Sequence, residues 1–353
     1  MTLSPVFRSH EAVKALKSKG YLKAMKPALK LQRRSVARVR ELLRDVISAE
    51  FLRDEALPAD DVEFVQEHFF LTLFNSLFAA LDSTKERRRA YALLNVCIKG
   101  LVASGDNLFD KEAKMDLPLD LGEGACFASI VQMLCFDRLV DRILEEHGGF
   151  FSAEERIEFR RNLLTRMARI GTLEGSEEEG VEAIPDVEEM VETVHRVRGG
   201  ELFALAFVAP DVGERGGDQA AWAQAEEGVR CLGTAFQIVD DVTDFEFDLG
   251  RRSHNIVAAQ IHHKGTAQER EELMRLRDAD GPPEEGTLEA SFADAAAAIL
   301  DLARCEAERG FALWKELGFW FPPEDAGLFI RAIAGDAGDR RMQAVSGRAA
   351  AQA

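Results

Sequence analysis

Asp240, Asp241 and Asp244 stand in FQIVDDVTDFEFDLGRR, residues 236–252, where five acidic residues fall within nine positions. They follow Gln237, Ile238 and Val239, an apolar approach that a solvated face does not need. Burying an unpaired charge is costly, so these acids either line a wet cleft or are neutralised by something cationic. In a helix Asp240 and Asp244 share one face, a turn apart, and Asp241 can lean toward the same mouth. Like charges at that spacing destabilise a bare helix by about 0.2–0.5 kcal/mol, a cost that a divalent cation removes. Oxygen-only ligands suit Mg²⁺, which keeps several waters and binds substrate phosphates through one or two carboxylates.

A second cluster lies upstream in ASGDNLFDKEAK, where Asp106 and Asp110 again share a helical face and Asn107 stands between them. Such pairs are common on solvated helices; the weight comes from two of them, each following an apolar helix. Cations are at hand as well. Arg251 and Arg252 follow the downstream cluster, and Arg198 precedes Gly199 and Gly200 in VHRVRGGELFALAF. Arginine grips phosphate oxygens in a planar, bidentate manner. The glycines leave room beside Leu202, Phe203, Leu205 and Phe207. Charged groups at a mouth and aliphatic or aromatic groups below suit an amphiphile with a charged head and an oily tail. His195 and His254 lie close enough in sequence to approach that head, although a lone histidine is more often structural.

The elements that must position these residues read as helical nearly throughout, with strand signals scarce. Helices are predicted over 30–55, 60–80, 86–105, 122–148, 152–173, 187–209, 218–248, 266–279, 288–316 and 324–335, with Ser152 as an N-cap. The acidic, glycine-rich stretch 171–186 is expected to be an exposed loop. The fold class is therefore all-α, a single large bundle of about ten or more helices around a central cavity. The expected segments are a helical extension over 1–55, the main domain over 56–336 and a frayed tail over 337–353.

Composition bounds the function classes. The 353 residues carry a formal charge of −18, which disfavours nucleic acid. The five scattered cysteines, Cys97, Cys126, Cys135, Cys231 and Cys305, form no CxxC and suit reduced thiols in a cytoplasmic protein. No apolar run is long enough to span a membrane, and the first residues lack the pattern of a signal peptide.

Through Gln237, Asp240, Asp241 and Asp244 the chain resembles the all-α isoprenoid diphosphate synthases, most closely the trans-polyprenyl diphosphate synthases. Their second aspartate-rich motif reads Gln-x-x-Asp-Asp-x-x-Asp. Gly250-Arg251 stands where a Gly-Lys pair follows in the family, and Arg198-Gly199-Gly200-Glu201-Leu202-Phe203 resembles its Lys-Thr-x-x-Leu-Phe segment. The first motif, Asp-Asp-x-x-Asp, is matched incompletely by Asp106 to Asp110. The resemblance spans about residues 60–260. It implies Mg²⁺, three ions with the substrate diphosphate, held by Asp106, Asp110, Asp240, Asp241 and Asp244. Arg198, Gln237, Arg251 and Arg252 would face the diphosphate of an allylic isoprenoid substrate, with Phe109, Phe203, Phe207 and Phe236 as candidate wall residues. A homodimer is the family expectation.

The departures concern the second substrate, isopentenyl diphosphate. The family's Gly-Lys-x-x-Arg-Pro segment has no counterpart near 55–70, and Lys111, Glu112, Ala113 and Lys114 replace an arginine pair. Arg87, Arg88 and Arg89 are the nearest cationic cluster. Three readings follow: a prenyltransferase, a terpene cyclase that needs one allylic diphosphate, and a helical partner subunit without chemistry.

Overall fold

The computed structural model describes residues 10–109, 114–122 and 124–352. Asp110, Lys111, Glu112 and Ala113 lie outside the described residues. The chain is all-α, as the patterning predicts. Among the described residues there is no strand, only one antiparallel bridge between Leu52 and Leu119.

The chain divides into two compact helical units. The first contains Leu22–Leu164 and Leu205–Trp222. Its centre is the helix Asp61–Ala80, which is apolar on nearly every side and correspondingly buried from Leu71 through Phe78. The helices Lys26–Leu42 and Lys85–Phe109 pack on it, and Ala125–Glu146 lies along the second of these. Phe78 meets Tyr91 and Phe207 edge-on, at ring distances of 5.9 and 5.2 Å, a geometry that aromatic quadrupoles favour. Glu214 closes this core from one side. Its Oε1 accepts from Ser83 Oγ at 2.7 Å and from Tyr91 Oη at 3.0 Å, while Oε2 pairs with Arg87. The helix Ala153–Gly175 starts at the predicted Ser152 cap: Ser152 Oγ accepts from the Glu155 amide, and Glu155 returns the bond to the Ser152 amide.

The second unit comprises Thr165–Ala204, the chain from Ala223 onward and the segment that ends at Tyr21. The helix Gln219–Thr243 is its axis, and Ala293–Glu316 carries Trp314, which is fully buried and donates from Nε1 to Ala225 O at 2.9 Å. The helix His10–Ser18 packs against Ala326–Ile333.

Several stretches differ from the local pattern, among them the helix expected over 30–55, which ends at Leu42. Residues 218–248 are two helices rather than one: Gln219–Thr243 ends, Asp244 takes φ −106° and ψ 15°, and Phe245–Arg251 begins. The acidic stretch 171–186 is not simply exposed, because Glu177 is buried and the Val181 amide donates to Arg252 O at 2.9 Å. Residues 337–353, expected to fray, are helical through Gln352 within Gly335–Gln352. That helix buries Val345, and Arg331 grips Asp339 through two bonds of 2.7 and 3.0 Å. Partners distant in sequence supply what a terminal segment lacks on its own.

Candidate active site

The site grows from a place where two backbones touch. Val191–Glu201 is π-helical, its turns widened to i→i+5 pairing, a geometry that is rare beyond one turn and concentrated at functional sites. Gly199 lies in this stretch and crosses Gly233 of the helix Gln219–Thr243. A Cβ on Gly199 would fall 2.2 Å from Gly233 O and 2.9 Å from Gln237 Cβ; one on Gly233 would fall 2.2 Å from Gly199 O. Carbonyls cannot yield as a flexible side chain can. Gly199→Ala is therefore expected to destabilise the fold by roughly 1–3 kcal/mol, read as a lower denaturant midpoint. An unchanged midpoint would show that the crossing tolerates a methyl group.

The crossing brings the arginine-bearing segment beside the aspartates. Asp240 is partly buried; removal from water, then Asp244 and Asp241, push its carboxyl up to about 8. Asp248 is pushed up to about 9, chiefly by burial and then by Asp241. Gln237 Nε2 spans the adjacent pair, 3.2 Å from Asp240 Oδ2 and 3.3 Å from Asp241 Oδ1.

Asp241 has a different setting from its neighbours. It is buried, and its Oδ2 accepts from the Ile256 amide at 2.7 Å and faces His195 Nε2 at 2.9 Å. The amide belongs to the N-terminus of the helix Ile256–Lys264, where free N–H groups and the helix dipole favour an anion. Asn255 caps that helix with Oδ1 and donates from Nδ2 to Asp241 O at 2.7 Å and Asp248 Oδ2 at 2.9 Å. His195 Nδ1 faces Met190 O at 3.1 Å, an acceptor, so the ring carries hydrogen there. The protein itself thus engages both Asp241 oxygens.

Arg198 is held by two acids that the sequence reading did not single out. Its Nε donates to Glu174 Oε1 and its Nη2 to Glu177 Oε1, both at 2.6 Å. Glu177 also takes the His254 amide at 3.1 Å and faces His254 Nδ1 at 2.6 Å. Burial acts to raise the Glu177 carboxyl, but His254 and Arg198 outweigh it and hold it down at about 2. No local signal marks Glu177 among its acidic neighbours; only the fold selects it.

The remaining candidates are distributed as follows. Arg251 lies over the Phe247 ring at 5.2 Å, and Arg252 donates from Nε to Arg277 O at 3.2 Å. Phe203 and Phe236 pair at 5.6 Å in the second unit, whereas Phe207 is core of the first. In the first unit Asp106 is exposed near the end of Lys85–Phe109, and Phe109 is exposed too. Asn107, which interrupts the aspartate pattern there, is buried and donates to Lys114 O at 2.7 Å. Asp110 lies outside the described residues.

Among the described residues no three His, Cys, Asp or Glu form a group able to hold a metal ion. Asp240 and Asp244 nevertheless fit Mg²⁺ by donor type, because that ion needs only one or two carboxylates when water and substrate phosphate complete its shell. Asp241 fits less well, its oxygens being engaged.

No protein-family model matches the chain, and no curated protein sequence does. Solved structures do match. A polyprenyl synthase from Roseobacter denitrificans aligns with TM-score 0.55 and 19% identity, over 91% of this chain and 99% of that one. A decaprenyl diphosphate synthase from Rhodobacter capsulatus aligns with TM-score 0.54 and 17% identity, over 95% and 98%. A polyprenyl synthase from Caulobacter crescentus, complexed with calcium and isoprenyl diphosphate, gives TM-score 0.53 and 18% identity over 90% and 98%. At such identities the likeness speaks for the fold.

Proposed function

We propose that this chain, which has the fold of the polyprenyl diphosphate synthases, is a prenyltransferase acting on an allylic isoprenoid diphosphate. The observation that carries the reading is the set Gln237, Asp240, Asp241 and Asp244 on this fold, with the Asp240 carboxyl pushed up to about 8. Carboxylates crowded this way favour a proton or a cation.

Asp240 and Asp244 would hold Mg²⁺ together with the diphosphate; for Asp106 and Asp110 the same role rests on the motif resemblance alone. When bound, the ion would supply Lewis-acid charge for a departing diphosphate. Gln237 fixes the spacing of Asp240 and Asp241, and Asp241 with His195 braces the helix from within. Arg198 lies beside the carboxylates, its guanidinium shared between Glu174 and Glu177, and it, Arg251 and Arg252 are assigned to the diphosphate. The Phe203–Phe236 pair offers π faces to the allylic cation left by ionisation. The five cysteines are all unpaired, which suits a cytoplasmic setting. Among the described residues no helix is long and apolar enough to cross a membrane.

A single-substrate cyclase is the second reading. It is favoured by the use of Arg87, first of the cationic cluster nearest to a second-substrate role, as the ion-pair partner of buried Glu214. Mass spectrometry of products separates the two, with Mg²⁺ and allylic diphosphates of ten, fifteen and twenty carbons, with and without isopentenyl diphosphate. The expected result is a longer diphosphate formed only with the second substrate. A hydrocarbon or alcohol from the allylic diphosphate alone would establish the cyclase. No product, together with no Mg²⁺-dependent binding of diphosphate, would overturn both.

A further inference from the structure

Asp244 does not sit within a regular helix. The backbone breaks at it, so its place beside Asp240 depends on whatever holds the residues on either side. Inside the break the local bonds converge on one acceptor: Asp240 O receives Thr243 Oγ1 at 2.8 Å and the Asp244 amide at 2.9 Å. The Asp248 amide then donates to Asp244 O at 2.9 Å. These bonds permit the break but do not by themselves require it, since a continuous helix would keep the amide bonds.

The C-terminal helix Gly335–Gln352 supplies the requirement. Arg341 is nearly buried, with side-chain exposure of 11%. Its Nη1 donates to Thr243 O at 2.6 Å, on one side of Asp244. Its Nη2 donates to Glu246 Oε1 and Oε2 at 2.6 and 2.5 Å, on the other side. Glu246 is fixed in turn by the Leu288 amide at 3.1 Å, and Glu289 reaches the same guanidinium at 3.3 Å. A second contact is independent of charge. A Cβ on Gly338 would fall 2.9 Å from Thr243 Cγ2 and 2.8 Å from Ala334 Cβ, so the helix presses on Thr243 without a gap. A carbonyl at a helix end needs a donor, and here one planar group serves it while gripping a carboxylate on the next helix.

We infer that the C-terminal helix is part of the candidate site, with Arg341 and Gly338 as positioning residues that set where Asp244 stands. Neither touches the proposed diphosphate; both act through Thr243 and Glu246. The inference rests on the metal–diphosphate reading of Asp240 and Asp244, and it adds to that reading a requirement from a segment about 100 residues downstream.

Two readouts on the full chain test it. Hydrogen exchange at the Asp244 and Asp248 amides reports how firmly the segment on either side of Asp244 is held, and calorimetry reports binding of inorganic diphosphate with Mg²⁺. Arg341→Met is expected to accelerate exchange at both amides and to weaken binding about 10–100-fold, the range typical of groups that orient metal ligands. Arg341→Lys should recover part of both, and Gly338→Ala should move both in the same direction without altering charge. Arg331→Met, which breaks the other ion pair of this helix, should lower thermal stability and leave binding within about twofold of wild type. Combined with Asp244→Asn, Arg341→Met should add little, because both changes act on one ligand. Unchanged exchange at Asp244 and Asp248, or full additivity with Asp244→Asn, would overturn the inference. Should Arg341→Met fail to fold, Gly338→Ala and Arg341→Lys carry the same test. Should the wild type not bind diphosphate, the functional reading fails, while the exchange data still decide whether Arg341 holds the segment around Asp244.

Discussion

Replacing Asp240 with Asn is expected to cut Mg²⁺-dependent turnover by about 100-fold or more and yet to stabilise the ligand-free protein at alkaline pH. The two effects have one cause. In the folded chain burial, Asp244 and Asp241 push the Asp240 carboxyl from an ordinary value of 3.8 up to about 8. Between those values the folded state keeps a proton that the unfolded state has released, so the slope of stability with pH is negative there. The contribution is fully present below about pH 4 and is lost as pH rises through about 8. Asp248, pushed up to about 9, extends the same decline. Thermal unfolding of the ligand-free wild type should therefore show stability falling between about pH 4 and pH 8 in excess of the Asn variant. Mg²⁺ with inorganic diphosphate should reverse that trend, because a cation favours the ionised form. Parallel pH profiles for wild type and variant would refute this account, whatever the effect on turnover.

The second large effect is expected at Glu177. Replacing it with Ala leaves the Arg198 guanidinium and His254 without their buried partner, and breaking such a pair costs about 3–5 kcal/mol. The sign with pH is opposite to that of Asp240. The Glu177 carboxyl is held at about 2, below its ordinary 4.5, so its contribution is present above about pH 4.5 and is lost as pH falls toward 2. The stability gap between wild type and the Ala variant should then be widest near neutrality and narrow in acid. A gap that is constant from pH 7 to pH 3 would mean that the loss is one of packing alone.

How far the sequence could be read depended on where each residue's partners lie. Asp61–Ala80 and Ala153–Gly175 were legible because a long apolar run marks the first and a local cap the second. That Gln237, Asp240, Asp241 and Asp244 lie together was legible because four positions in fixed spacing carry information that no single residue does. Glu177 was not, since its value lies in Arg198, 21 positions away, and in His254, 77 positions away. The C-terminal helix was missed for a related reason: a polar stretch rich in Gly and Ala has little to hold it except Val345 in the core and the ion pairs of Arg341 and Asp339. Asp241 illustrates a finer limit. Adjacency to Asp240 predicts a shared mouth, but successive helical residues face different ways, and the amide of Ile256 lies on the side that Asp241 faces.

The π-helical stretch Val191–Glu201 has a consequence for how such a chain can change over generations. A widened turn accommodates more residues than an α-turn, so the stretch behaves as a stored insertion. Loss of one residue from it would let the backbone relax into regular α pairing and leave the composition nearly untouched. It would also rotate everything on one side of the deletion relative to the other. His195 faces Asp241, whereas Arg198, three positions on, faces Glu174 and Glu177; the two directions coexist only in the widened register. Substitutions here can be tested and discarded one at a time, but a shortened lineage would lose one of these partnerships at a stroke. The length of this segment is therefore as much a part of its specification as the identity of any residue within it.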